Sequence, residues 1–222
     1  MYLRKNRLFL NYRFTTLSYA LLINAILAAG VSAFIWQRRH IPGAKYIALL
    51  MVAMAEVSFA YVLENAALIL NLKVFWTKVS YLGLFPATVL LFLFILDYTG
   101  REKWMTRSNV ILVWIIPAIT ILLAATNEWH HLVWSSVIYT PDSGLNLAIY
   151  NHGIWFWIAM SYVYMLVGAT VIMFVQAIFR YRKVYRLQSI ALLATLIVIM
   201  TGDITYVAGL IPVPGLDPTP FT

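Results

Sequence analysis

The amino-acid sequence predicts an all-α fold: a polytopic bundle of transmembrane helices, six spans in all, with a short external β-hairpin between spans four and five. Of its 222 residues, 63% are hydrophobic and only 11% are charged, whereas soluble domains carry roughly 25% charged residues. Several uncharged runs reach the length of about 20 residues that a helix needs to cross a hydrocarbon core. Lysine and arginine are concentrated between these runs rather than within them.

The runs fall at about 14–36, 46–70, 74–96, 109–125, 154–179 and 188–211. Lipid offers the backbone no hydrogen-bond partners, so each span is helical. The first follows a basic leader and imitates a signal peptide ending in "VSA", but it continues through Phe34, Ile35 and Trp36 to Arg38 and Arg39. That exceeds a signal core, and the run is read as an uncleaved span. Pro86 and Pro117 lie inside the third and fourth spans. Each removes a backbone donor and frees the carbonyl four residues earlier, at Leu82 and Val113. Asp97 in "FILDYTGREK" reads as the stop of the third helix. In the fourth connection, "HLVWSSVIY" and "LNLAIY" flank the turn signal "TPDSG", a strand–turn–strand pattern. With no internal repeat, residues 1–222 read as one membrane-embedded domain.

Charge excludes some functions and orients the bundle. A formal +8 would point to nucleic acid in a soluble protein. Here it reports basic loops against anionic lipid and cytoplasm, and no nucleic-acid partner is expected. Cysteine is absent, which removes disulfides, thiolate catalysis and zinc–thiolate sites. With the leader outside, the cytoplasmic connections collect ten Lys and Arg against six on the other face. The positive-inside rule therefore places the N-terminus and the hairpin outside the inner membrane. Trp129, Trp134, Trp155 and Trp157 are then expected at headgroup level.

A charge at mid-bilayer costs about 2.5–3.5 kcal/mol on insertion scales, so each intraspan charge needs a reason. Four stand out: Glu56, Glu64, Lys78 and Asp203. At 1.5 Å of rise per residue, Glu64 lies about 9 Å, Lys78 about 6 Å and Asp203 about 12 Å below the outer surface. Glu56 is deeper, and about 80° round the helix from Glu64. Two readings fit. One is a polar ligand pocket of Glu64, Lys78 and Asp203 with Asn65, Tyr81 and Tyr206 as donors. The other is a Glu64–Lys78 pair that only lowers insertion cost, with Lys78 snorkelling outward.

The external loop adds His130, His131, His152 and Trp134 as candidates for contact with a cue. No metal is expected there, even with Glu128 or Asp142 as a further ligand. Adjacent histidines diverge, and no H-x-x-x-H spacing is present. No cofactor is expected either. Hydrolase parts are missing, with no G-x-S-x-G and no paired aspartates, and no late span carries the lysine a retinal pump requires. The chain is read as a non-enzyme. A small-solute transporter is the alternative, although Pro86 and Pro117 sit in consecutive helices rather than in matching halves.

The ordered set "RRHIPGAKYIALLMVAMAEVSFAYVLENAAL", "FWTKVSYLGLFPATVLLFLFILDYTGR", "IIPAITILLAATNEWHHLVW" and "GLIPVPGLDPTPF" resembles the seven-transmembrane sensor region at the front of bacterial histidine kinases. The resemblance implies an input domain that receives an external or intramembrane cue, a small molecule or a lipid, and passes it to a cytoplasmic kinase or cyclase. It also implies a homodimeric full-length protein, and a seventh span after the "PGLDPTP" region that this chain does not include. No phospho-accepting histidine is assigned by it. His130 and His131 in "TNEWHHLVW" are expected to cap the fourth helix rather than to perform chemistry.

Overall fold

The computed structural model describes residues 11–139, 146, 148–180 and 183–208, without the side chains of 180, 183–185, 188, 203, 206 and 207. Among these, five helices are long and apolar enough to cross a membrane: α1 (Thr16–Trp36), α2 (Ala44–Ala66), α3 (Leu70–Tyr98), α4 (Arg107–Ala125) and, after the one-turn α5 (Asn127–His130), α6 (Ile154–Arg180). The sixth expected span falls on α7 (Lys183–Val207), whose described apolar stretch is the shorter Ser189–Gly202. Strands β1 (Trp134–Tyr139) and β2 (Ala148–His152) pair antiparallel between α5 and α6, with an irregularity between Trp134 and Ser136. The expected "TPDSG" turn lies outside the described residues.

Helix boundaries follow local chemistry more closely than hydropathy. α1 opens on a capping box, Thr15 and Ser18 each bonding the other's backbone N–H. Thr106 caps α4 by accepting from the Asn109 N–H. The second span, expected to run to residue 70, ends at Ala66, and the third begins at Leu70 rather than at 74. The apolar run 67–69 is not helical because the leader pairs with it. The Arg13 N–H donates to the Ala66 carbonyl (2.6 Å) and the Leu68 N–H to the Asn11 carbonyl (2.8 Å). Gly43 opens α2 at φ +81, a left-handed conformation that favours glycine. Its N–H donates to the Asp97 carboxylate at 2.9 Å, so Asp97 ties the α1–α2 turn to the end of α3.

α2 packs on α1 and α3, and α6 packs on α3, α4 and α7. The main core lies along α3 and α6, with Phe92, Leu93, Ile95 and Phe174 at its centre. Both helices carrying an internal proline continue through it. The carbonyl freed by Pro117, at Val113, accepts from the Tyr162 hydroxyl of α6 at 2.6 Å. The lost intrahelical bond is thereby replaced by an interhelical one.

Candidate functional site

Beneath the strand pair a cavity of about 580 Å³ runs down the bundle between α2, α3, α6 and α7, with α1 at its edge. Trp134, Tyr150 and His152 form its roof, Glu64, Thr77 and Tyr81 line it just below, and apolar side chains such as Leu50, Leu91, Val167 and Leu196 line most of its length. Trp134 is 3% exposed and packs between Tyr81 and Tyr150, with ring centroids at 5.1 and 5.5 Å. It is therefore an internal wedge and not the headgroup indole expected of it. Trp129, 86% exposed, fits that role better.

The roof is held by a latch centred on Lys73, a residue that the apolar pattern assigns to a loop. Because α3 starts early, Lys73 falls in its first turn, fully buried. Its ammonium donates to the carbonyls of Glu64 (2.9 Å) and Asn146 (2.6 Å). It also lies 3.8 Å from the Glu64 carboxylate and over the Tyr139 ring. Asn146, at φ +53, returns its amide to the carbonyls of Asn65 and Ala67 and accepts from the Tyr139 hydroxyl. Burial, and then the negative Glu64 nearby, push the Tyr139 phenol up from its ordinary value. Thr77, one turn after Lys73, shares a 2.6 Å hydrogen bond with the Tyr150 hydroxyl.

The expected pocket is thus partly rearranged. Glu64 and Tyr81 line the cavity. Lys78 does not meet Glu64, because it lies five residues after Lys73 and so about 140° round α3. It donates instead to Glu128 at 2.5 Å and to the Ala125 carbonyl at 2.9 Å, fastening α3 to the end of α4. That ammonium holds the Glu128 carboxyl below the usual range. Asn65 faces α1, where its side-chain oxygen accepts from Thr15 (2.7 Å) and Ser18 (2.8 Å). The side chains of Asp203 and Tyr206, and Asp142 in the loop, lie outside the described residues.

His130 and His131 do not line the cavity. His130 accepts from the Leu132 N–H through Nδ1 and shares a hydrogen bond with Thr126 through Nε2. His131 ends α5 in the left-handed region, at φ +54. The side chain that organises "TNEWHHLVW" is Asn127, 6% exposed. Its oxygen accepts from the N–H groups of Val133 and Trp134, and its amide donates to the Trp134 carbonyl. An Asn just past a helix end is a turn former through such bonds, a signal available in the sequence. His152 does line the cavity, stacked on Phe156 at 3.6 Å. Burial lowers its imidazole from the ordinary value. No group of three or more potential metal ligands occurs among the described residues.

The fold and cavity define a multi-pass helical membrane protein with a roofed intramembrane cleft. The family model for the N-terminal 7TM region of histidine kinase matches residues 20–222, and the chain belongs to that family. Such a region is the sensor input part of the kinase and not itself catalytic, and no kinase catalytic domain is found in this chain. No curated protein and no solved structure matches.

Two measurements check this geometry. Lys73→Met removes the ammonium from beside the buried Glu64 carboxylate and is expected to cost about 3–5 kcal/mol of stability. Adding Glu64→Gln should recover much of it, and a thermal-unfolding double-mutant cycle reads the coupling. For His152, a folded-state value below the unfolded one means that the unfolded chain binds more protons below about pH 6.5, so stability falls on acidification through that range. His152→Phe should flatten the dependence of the unfolding midpoint between about pH 7 and pH 5.

Proposed function

We propose that this domain receives a small-molecule or lipid cue in the polar head of the cleft and passes it to a cytoplasmic kinase or related output module. The observation that carries the reading is the cavity lying directly under a roof latched to α2 and α3. A cue that touches Tyr81, Thr77 or Glu64 shares elements with the latch, so its affinity depends on whether the roof is seated. A ligand shifts two arrangements only through such a difference in affinity. Nothing in the fold or the comparisons favours the small-solute transporter.

The orientation belongs to the same proposal: N-terminus and hairpin outside the inner membrane, basic turns inside. Because the chain has no cysteine, single-cysteine mapping is clean. Ser135→Cys on the exposed edge of β1 should react with an impermeant maleimide in intact cells, and Lys103→Cys only after permeabilisation. The opposite pattern inverts the domain and removes the external cue.

Signalling is tested in the natural full-length protein. Glu64→Gln is expected to weaken the response to the cue at least about tenfold, equivalent to roughly 1.4 kcal/mol of differential binding. A full response from a well-inserted variant removes Glu64 from the site.

A further inference from the structure

Glu56 takes no part in the cleft or its latch. It is the thirteenth residue of the 23-residue α2, which puts it about 18 Å from one helix end and about 15 Å from the other. Its helical neighbours Leu49, Val52 and Phe59 are exposed on the outer surface of the bundle, as is Leu82 of α3. The Glu56 stem therefore rises on the lipid side, but its carboxyl turns inward. Both of its oxygens are buried, and among the described residues neither has a hydrogen-bond partner of good geometry. The carboxyl lies against Gly83 of α3, where any Cβ would collide with it and come within 2.8 Å of Val57. Glycine there is what leaves room for an acid in the seam between the helices.

Among the described residues no positive charge serves it. On α3, Lys78 is taken by Glu128, and Lys73 faces Glu64; the acidic Asp97 receives the Gly43 N–H. On α2, Lys45 sits over the Tyr46 ring at the far end. α1, which packs on another face of α2, carries no charged residue between Thr16 and Trp36. A carboxylate shut off from solvent at this depth, with the Gly83 backbone N–H close by but no cation beside it among the described residues, is strongly disfavoured, whereas the neutral acid is tolerated. A metal ion is a poor occupant, since hard cations demand several oxygen ligands and no other described acid shares the place.

We propose that Glu56 is an intramembrane proton-binding site on the lipid-facing seam of α2 and α3, holding a proton at neutral pH. To ionise, the carboxyl must leave Gly83 for water or headgroups, so proton release is linked to loosening of the α2–α3 contact. This stands apart from the cue site, because Glu56 does not line the cavity.

A protonated carboxyl in lipid reacts with a hydrophobic carbodiimide. The acid O–H adds across one N=C bond to give an O-acylisourea, and the acyl group then migrates from oxygen to nitrogen. The product is a stable N-acylurea that keeps every atom of both reactants. With the full-length protein in native membranes, dicyclohexylcarbodiimide is expected to leave one adduct at Glu56, located by peptide mass mapping. Labelling should fall several-fold from about pH 6 to about pH 9, and a water-soluble carbodiimide applied at about pH 6 should leave Glu56 unmodified. Glu56→Gln, the uncharged isostere, should insert like the wild type and lose the adduct. Absence of the Glu56 adduct, labelling unchanged across that pH range, or failure of Glu56→Gln to insert would each overturn the proposal.

Discussion

In a hydrocarbon slab an ammonium group is tolerated only where protein oxygens replace its water, and the hairpin end of the bundle is organised round one such group. Lys73 has no exposure at all. Its solvation is replaced from three places: the last turn of α2, through the Glu64 carbonyl and carboxylate; the strand region, through the Asn146 carbonyl; and the π face of the Tyr139 ring. The last carbonyls of a helix lack intrahelical donors, so ending α2 at Ala66 is what makes an acceptor available. The leader strand ends it there by bonding Ala66 and Leu68. Removing any of the three contributors leaves a buried charge under-solvated, which is why α2, α3 and the roof are held as one unit.

The roof is fixed from its other side by backbone geometry. Asn127 closes the chain from α5 into β1 with three hydrogen bonds. The N–H groups of Gly153 and Trp155 donate to the carbonyls of Val133 and Leu132, carrying β2 into α6. A Cβ at Gly153 would fall 2.7 Å from the His131 carbonyl oxygen and closer still to that of Leu132. Trp155 then anchors α6 to α4 through Thr120 at 3.0 Å. The strand pair is thus clamped by α4 and α6 on one side and by Lys73 on the other, with Trp134 wedged below. Displacing Trp134 cannot leave Tyr81 undisturbed, since the two rings are in contact.

The spans were legible because apolar length is a property of sequence alone. α1, α4 and α6 begin and end within two residues of where hydropathy puts them. The freed Val113 carbonyl was legible too, because proline chemistry is local, although its acceptance of the Tyr162 hydroxyl was not. What hydropathy misses is an ending imposed by a distant segment. Residues 67–69 are as apolar as a helix core, and pairing with Asn11 and Arg13 pulls them out of it. From that four-residue displacement came the choice of Lys78 over Lys73, since a lysine counted as loop is not asked for a partner. The adjacent histidines are likewise the conspicuous residues of "TNEWHHLVW", yet it is Asn127 that closes the turn.

Ion pairing at one end only gives the described bundle its electrostatic polarity. At the hairpin end, Lys73 and Lys78 are matched by Glu64 and Glu128, leaving Arg13 as the unmatched described charge. At the opposite end Arg38, Arg39, Lys45, Arg101, Lys103 and Arg107 face two acids, Asp97 and Glu102, and Asp97 is committed to a backbone N–H. Arg38, Arg39 and Lys45 lie over the rings of Phe34, Trp36 and Tyr46, which keeps their charge uncancelled at the level where rings meet headgroups. One face of the described bundle is therefore nearly neutral and the other strongly cationic. A loop count from sequence assigns Lys73 and Lys78 to the neutral face as positive charges. Among the described residues, their pairing with carboxylates makes the two ends differ more in net charge than that count conveys.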